Sequence, residues 1–164
     1  MKSLYLFQAA IACLFLLTSC DKQEEPLPVY PLDSYPPFYL YISVVNAEGC
    51  NLLDNEAPLL GLESIKVYYK GYYFHFSHEW QGEQIINVTW GCHENGYSCL
   101  AVGPWNTNLT YTDEKIVISW GDESIDEIVF SSSPVEILKG LMRLQQSFYL
   151  NGKINTNNFF TVIK

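Results

Sequence analysis

Few residues in this chain have the chemistry to catalyse or coordinate: five cysteines, three histidines and acidic residues that fall in pairs. Cys92 and Cys99 bracket His93-Glu94-Asn95-Gly96-Tyr97-Ser98, with Asn95-Gly96 as a turn signal between two β-prone flanks. In an oxidising compartment this spacing predicts a disulfide across the loop, contributing about 2 to 3 kcal/mol by restricting the unfolded chain. Cys50 is then left over, and its pairing with Cys92 or Cys99 stays open at the level of sequence. A metal site on Cys92, His93 and Cys99 fits no familiar zinc spacing, so neither a metal nor a cofactor is expected.

His75-Phe76-Ser77-His78-Glu79 has a superficial likeness to the zinc-protease motif, which needs histidines four apart on one helical face. Here they are three apart on a β-prone run and point to opposite faces. The pairs Asp113-Glu114, Asp122-Glu123 and Asp126-Glu127 carry groups suited to acid–base work, but each lies beside a turn or strand end and reads as solvated surface. No nucleophile elbow, phosphate loop or calcium loop occurs. No catalytic residue is assigned, and the chain is read as a non-enzyme.

Aromatic side chains are the one excess, at 15% of residues with 12 Tyr and 4 Trp. Trp80, Trp90, Trp105 and Trp120 lie near glycine, asparagine or acidic neighbours, where an exposed ring could stack on the apolar face of a sugar. Trp105 leads these candidates, because Gly103-Pro104-Trp105-Asn106 reads as a loop. The competing explanation is packing, since aromatics are favoured on any half-buried pleated surface.

The elements that must position these residues read as strands. Aromatic and β-branched runs occupy 38–45, 65–69, 72–76, 85–90, 116–120, 125–130, 147–150 and 159–163. Lys70-Gly71 and Asn151-Gly152 are hairpin signals, and Gly121-Asp122-Glu123-Ser124 joins two further runs. Ser133-Pro134-Val135-Glu136 matches a capping box, so a short helix is allowed near 134–140. Beyond it, Met142, Leu144, Phe148 and Leu150 alternate as a strand does, with a break only at Gln146. The expected fold is all-β, an antiparallel immunoglobulin-like sandwich of about seven or more strands. With 164 residues and a net charge of −9, one domain is expected and nucleic acid is a poor partner.

The N-terminus has its own logic. Lys2 precedes an apolar stretch over 4–17 that is too short to span about 30 Å of hydrocarbon, and Leu17-Thr18-Ser19-Cys20 places two small residues before a cysteine. Five of the eight prolines, Pro26, Pro28, Pro31, Pro36 and Pro37, then mark an extended tether outside the core. At about 3.1 Å per residue, 21–37 would reach roughly 50 Å. The expected organisation is a leader at 1–19, an acylated cysteine and tether at 20–37, and a β domain at 38–164.

Residues 17–20 resemble the lipobox of bacterial lipoproteins. The acidic Asp21-Lys22-Gln23-Glu24-Glu25 is similar to the export signal of surface-exposed lipoproteins in Bacteroidota. Gly49-Cys50-Asn51-Leu52-Leu53-Asp54, Ile118-Ser119-Trp120-Gly121 with Asp126-Glu127-Ile128, and Tyr149-Leu150-Asn151-Gly152-Lys153 extend the likeness to small Bacteroidota lipoproteins more loosely. The resemblance implies cleavage before Cys20, acylation (palmitate or a similar chain) of its thiol and new amino group, and residence at the outer membrane, possible surface exposure included. It implies no catalytic residue. Together these readings give a surface-tethered binding module whose partner is the membrane through its lipid and an envelope protein or a glycan, the glycan reading resting on the four tryptophans.

Overall fold

The computed structural model of the chain describes residues 30–31, 35–53, 61–77, 85–92 and 98–164, and of 30–31 and 92 the backbone. Two sheets pack face to face. The larger contains β1 (Tyr30–Pro31), β3 (Lys66–Tyr69), β4 (Tyr72–His75), β7 (Tyr111–Ser119), β8 (Ile125–Leu138), β9 (Leu141–Leu150) and β10 (Lys153–Asn155), in the order β1-β9-β8-β7-β3-β4 with β10 also on β9. The smaller runs β11-β2-β6-β5 and is built from β2 (Phe38–Val45), β5 (Asn87–Cys92), β6 (Ser98–Trp105) and β11 (Phe159–Ile163). The all-β sandwich expected from the runs of aromatic and β-branched residues is what forms. Among the described residues its strand ladders are antiparallel except that β11 lies parallel to β2, and an isolated parallel bridge joins Phe76 to Val88.

Alternation along each strand sorts side chains between the two faces. In β2, Leu40, Ile42 and Val44 are fully buried, and in β7 and β8 so are Ile116, Ile118, Ile128 and Phe130. The two hairpins predicted from glycine-bearing pairs have the backbone those turns require. Lys70 and Gly71 sit at φ 48° and 89°, Asn151 and Gly152 at 50° and 76°. Consecutive positive φ values match the right-handed twist of the flanking strands, and Asn and Gly tolerate them best.

Three expectations need correction. First, no helix forms at 134–140: β8 stays paired with β9 from Ile128↔Leu150 through Pro134↔Leu144 to Glu136↔Met142. Ladder pairing over that length outweighs a local cap. Pro134 lies past Ser132, the last β8 residue paired to β7, so its missing N–H faces no neighbour on that side. Gln146, which breaks the alternation, donates to the buried Ser132 hydroxyl at 3.3 Å. Second, Gly103-Pro104-Trp105 is the end of β6 and not a loop. Third, the proline-rich segment is not wholly outside the fold, because Tyr30 and Pro31 pair with Met142 and Leu141, and the Tyr35 hydroxyl donates to the Met142 carbonyl at 2.6 Å.

Trp105 is the centre of the core, 2% exposed. Its ring meets Tyr69 edge-on at 5.1 Å, Tyr111 at 5.7 Å and Phe130 at 4.7 Å, and its indole N–H donates to the Val102 carbonyl at 3.0 Å. These edge-to-face contacts join β6 of the smaller sheet to β3, β7 and β8 of the larger one. Truncating such a ring leaves a cavity that rigid neighbours cannot fill. Trp105→Ala should lower unfolding stability by about 3 to 5 kcal/mol, measured by urea denaturation, and Trp105→Phe by clearly less. A loss below about 1 kcal/mol for the alanine variant would show that the ring does not hold the sheets together.

Candidate functional site: an aromatic groove on the open face of the larger sheet

The smaller sheet covers one face of the larger, and no described element covers the opposite face of β8, β7, β3 and β4. Cross-strand register arranges its side chains in rows. One row reads Tyr73, Tyr68, Val117 and Glu127, and the next His75, Lys66, Ser119 and Ile125. Directly opposed residues are about 4.5 to 5.5 Å apart, and the two rows are separated by one pleat repeat, roughly 7 Å.

Between the rows lies a hollow of about 510 Å³. Tyr68 and Tyr73, 39% and 66% exposed, form its aromatic wall, with ring centroids 5.0 Å apart at 53°. Lys66, His75 and Ser119 supply polar groups along the other side, and Ile125, 67% exposed, closes the end. Aromatic wall and donor row are both carried on paired strands, so the site is rigid in its backbone. A second hollow of about 310 Å³ shares Tyr68 and Val117 and is bounded by Lys70, Glu114 and Lys115.

The charges around the second hollow are tied up. Glu114 accepts from the Tyr69 hydroxyl at 2.9 Å and from Lys70 Nζ at 2.9 Å, and Lys115 pairs with Glu127 at 2.5 Å. Burial, against an opposing hydrogen bond from Lys70 and with help from the Glu114 charge, raises the Tyr69 phenol above the ordinary tyrosine range. Hydrogen bonds to Tyr69 and then Glu114 hold the Lys70 ammonium above its own. Among the described residues, Lys66 makes no ion pair.

The tryptophans proposed as a sugar platform do not line this groove. Trp105 is core, and Trp120 is 1% exposed, its indole N–H donating to Asp126 Oδ2 at 2.7 Å. Trp90 is half-buried and packs edge-on against Phe76 at 5.3 Å. Trp80, like Cys20 and His78, lies outside the described residues. So does the side chain of Cys92, and with it the Cys92–Cys99 bridge; the backbone pairs Gly91 with Cys99, which is buried, and Cys50 is exposed. Among the described residues, no three His, Cys, Asp or Glu side chains converge.

One member of these acidic pairs is not surface. Asp126, 9% exposed, also accepts from Asn151 Nδ2 at 2.7 Å and lies 3.6 Å from Lys164 Nζ, which stacks over the Trp120 ring at 5.3 Å. It is structural, fastening the chain end and the β9–β10 turn to the core.

Sequence reasoning passed over Tyr68 and Tyr73, yet the signal was there. A two-residue turn at Lys70-Gly71 sets Tyr69 opposite Tyr72 and Tyr68 opposite Tyr73, so alternation alone places the last two together on one face. Comparison with protein-family models, curated proteins and solved structures finds no match to this chain.

The Tyr69 phenol gives a pH test. Its raised pKa favours the neutral form in the folded state, a contribution present below the ordinary tyrosine value and lost as pH rises through the raised one. Ultraviolet difference titration should show one tyrosine ionising after the exposed set, and Glu114→Gln should bring it to lower pH. A titration unchanged by that substitution would contradict the coupling.

Proposed function

We propose that the chain is a non-enzymatic binding module of the bacterial envelope, held there by acylated Cys20, and that the groove beside Tyr68 and Tyr73 takes a saccharide. One observation carries the ligand reading: two solvent-exposed tyrosines in cross-strand register stand beside a row of hydrogen-bonding groups, around a hollow of about 510 Å³. Sugars present an apolar C–H face flanked by hydroxyls, which that combination matches. The glycan reading thus moves from tryptophans to tyrosines. The leader, Leu17-Thr18-Ser19-Cys20 and the proline-rich segment support the anchor.

The binding test is a glycan panel at millimolar sensitivity, read by protein-observed NMR. Native chain should bind at least one saccharide, and Tyr73→Ala should weaken it about tenfold or more without loss of fold. The tip of the β8–β9 hairpin, where Val135, Ile137 and Leu138 are 38%, 44% and 64% exposed, is the surface that would suit a protein partner. Binding lost on Ile137→Ser but kept in Tyr73→Ala would move the site there. For the anchor, Cys20→Ala should shift the chain from the membrane to the soluble fraction. Mass spectrometry of the native protein should find acyl mass on a chain beginning at residue 20.

A further inference from the structure

We infer that the saccharide taken by the tyrosine groove is acidic, a ring bearing a carboxylate such as a uronic acid, with Lys66 as the residue that selects it. The inference rests on the saccharide reading and adds the ligand's charge.

Consider the cations on this face. The chain carries nine basic residues against 18 acidic ones, so its overall field repels an anion, and a carboxylate can be held only where a cation is locally unpaired. Lys70 is neutralised by Glu114 and Lys115 by Glu127, both at ion-pair distance. Lys66 makes no such pair among the described residues. Its directly opposed neighbours are His75 on β4 and Ser119 on β7, neither an anion. The carboxylate nearest in register, Glu127 on β8, belongs to the other row and is held by Lys115.

The row therefore holds one cation and no anion, and each of its three groups can donate. An ammonium, a hydroxyl and an imidazole N–H line up across three adjacent strands. A neutral sugar offers hydroxyls that donate as readily as they accept, and leaves the ammonium without a counter-charge. A carboxylate offers two oxygens that only accept. The spacing agrees: a ring stacked on Tyr68 and Tyr73 has its edge about one pleat repeat, roughly 7 Å, from the Lys66 backbone, a distance the four-carbon stem of lysine can cover. The shape of the hollow thus asks for an apolar ring face and an anionic edge on the same small molecule.

The experiment compares a glucuronate-terminated disaccharide with its glucose-terminated counterpart on the mature full-length chain, by NMR titration at low and at high salt. The acidic sugar should bind about five- to tenfold tighter at low salt, with the margin shrinking as salt screens the pair. Lys66→Gln should abolish the preference, the two sugars then binding that variant equally, and Lys66→Arg should keep it. Tyr73→Ala should weaken both sugars. Equal affinities in the native chain would overturn the charge inference and leave the saccharide reading standing. No binding of either sugar would overturn that reading itself. Sodium acetate displacing the acidic sugar at equal concentration would show a site for small carboxylates and overturn the assignment to a sugar.

Discussion

Because successive side chains on a strand point to opposite faces, a four-stranded sheet laid against a seven-stranded one can cover only one face of it. That constraint orders the rest of the molecule. On the covered face, β7 and β8 present Ile116, Ile118, Ile128 and Phe130, which meet Leu40, Ile42, Val102 and Trp105 from the smaller sheet. On the uncovered face these strands and β3 must present residues compatible with water, and they do so with Lys115 and Ser119 on β7, Glu127 on β8 and Lys66 on β3. Tyr68, Tyr73 and Ile125 are the departures, large and exposed on a face that needs none of them for the core. Single exposed apolar groups are ordinary, but here they share one hollow with a lysine, a serine and a histidine. The groove is thus what the packing leaves over, on strands that the packing makes rigid.

The sandwich also closes its open end with charge. β11 brings the C-terminus alongside β2, with Lys164 N donating to the Val45 carbonyl at 2.8 Å, so that its ammonium reaches Asp126 and the turn after β7. Asp126 would be costly to bury alone. Here its two oxygens accept from the Trp120 indole and the Asn151 amide, with the lysine nearby to offset the charge. Asn151 does double duty: its backbone makes the β9–β10 turn, and its side chain accepts from Glu127 N at 2.8 Å while donating to Asp126. The Asp122 carboxyl in the turn between β7 and β8, held below its ordinary range by hydrogen bonds from Ser124, stays ionised beside Lys164.

Most of the fold was legible in the residues because β-prone runs and turn signals act locally. Lys70-Gly71 and Asn151-Gly152 marked hairpins whose φ values follow from residue type alone. What misled was also local. Ser133-Pro134-Val135-Glu136 satisfies a helix cap, but its competitor is β9, whose pairing cannot be read within that window. Gly103-Pro104-Trp105 has loop composition, and only the surrounding Tyr69, Tyr111 and Phe130, far apart in sequence, make Trp105 a core residue. Asp126 looked like one more surface acid because its three partners lie at positions 120, 151 and 164. The site was half legible: the hairpin register fixed Tyr68 beside Tyr73, whereas their exposure depends on which face the smaller sheet covers.

Position within the larger sheet bears on how an anchored module would present its groove. The described N-terminal strand, β1, lies on the β9 edge, while Tyr68 and Tyr73 lie on β3 and β4 at the other. Five inter-strand steps of about 4.8 Å separate β1 from β4, roughly 24 Å across the sheet. Were the chain anchored at Cys20 as proposed, docking of Tyr30 and Pro31 on β9 would leave nine residues, 21–29, between lipid and sheet, which at about 3.1 Å each would span nearer 30 Å than 50 Å. Such a tether would limit how far the domain could wander but, joined at the far edge, would turn the β3–β4 edge outward. Reach and orientation then exchange roles: the spacer need not be long if the sheet itself carries the groove away from the attachment point.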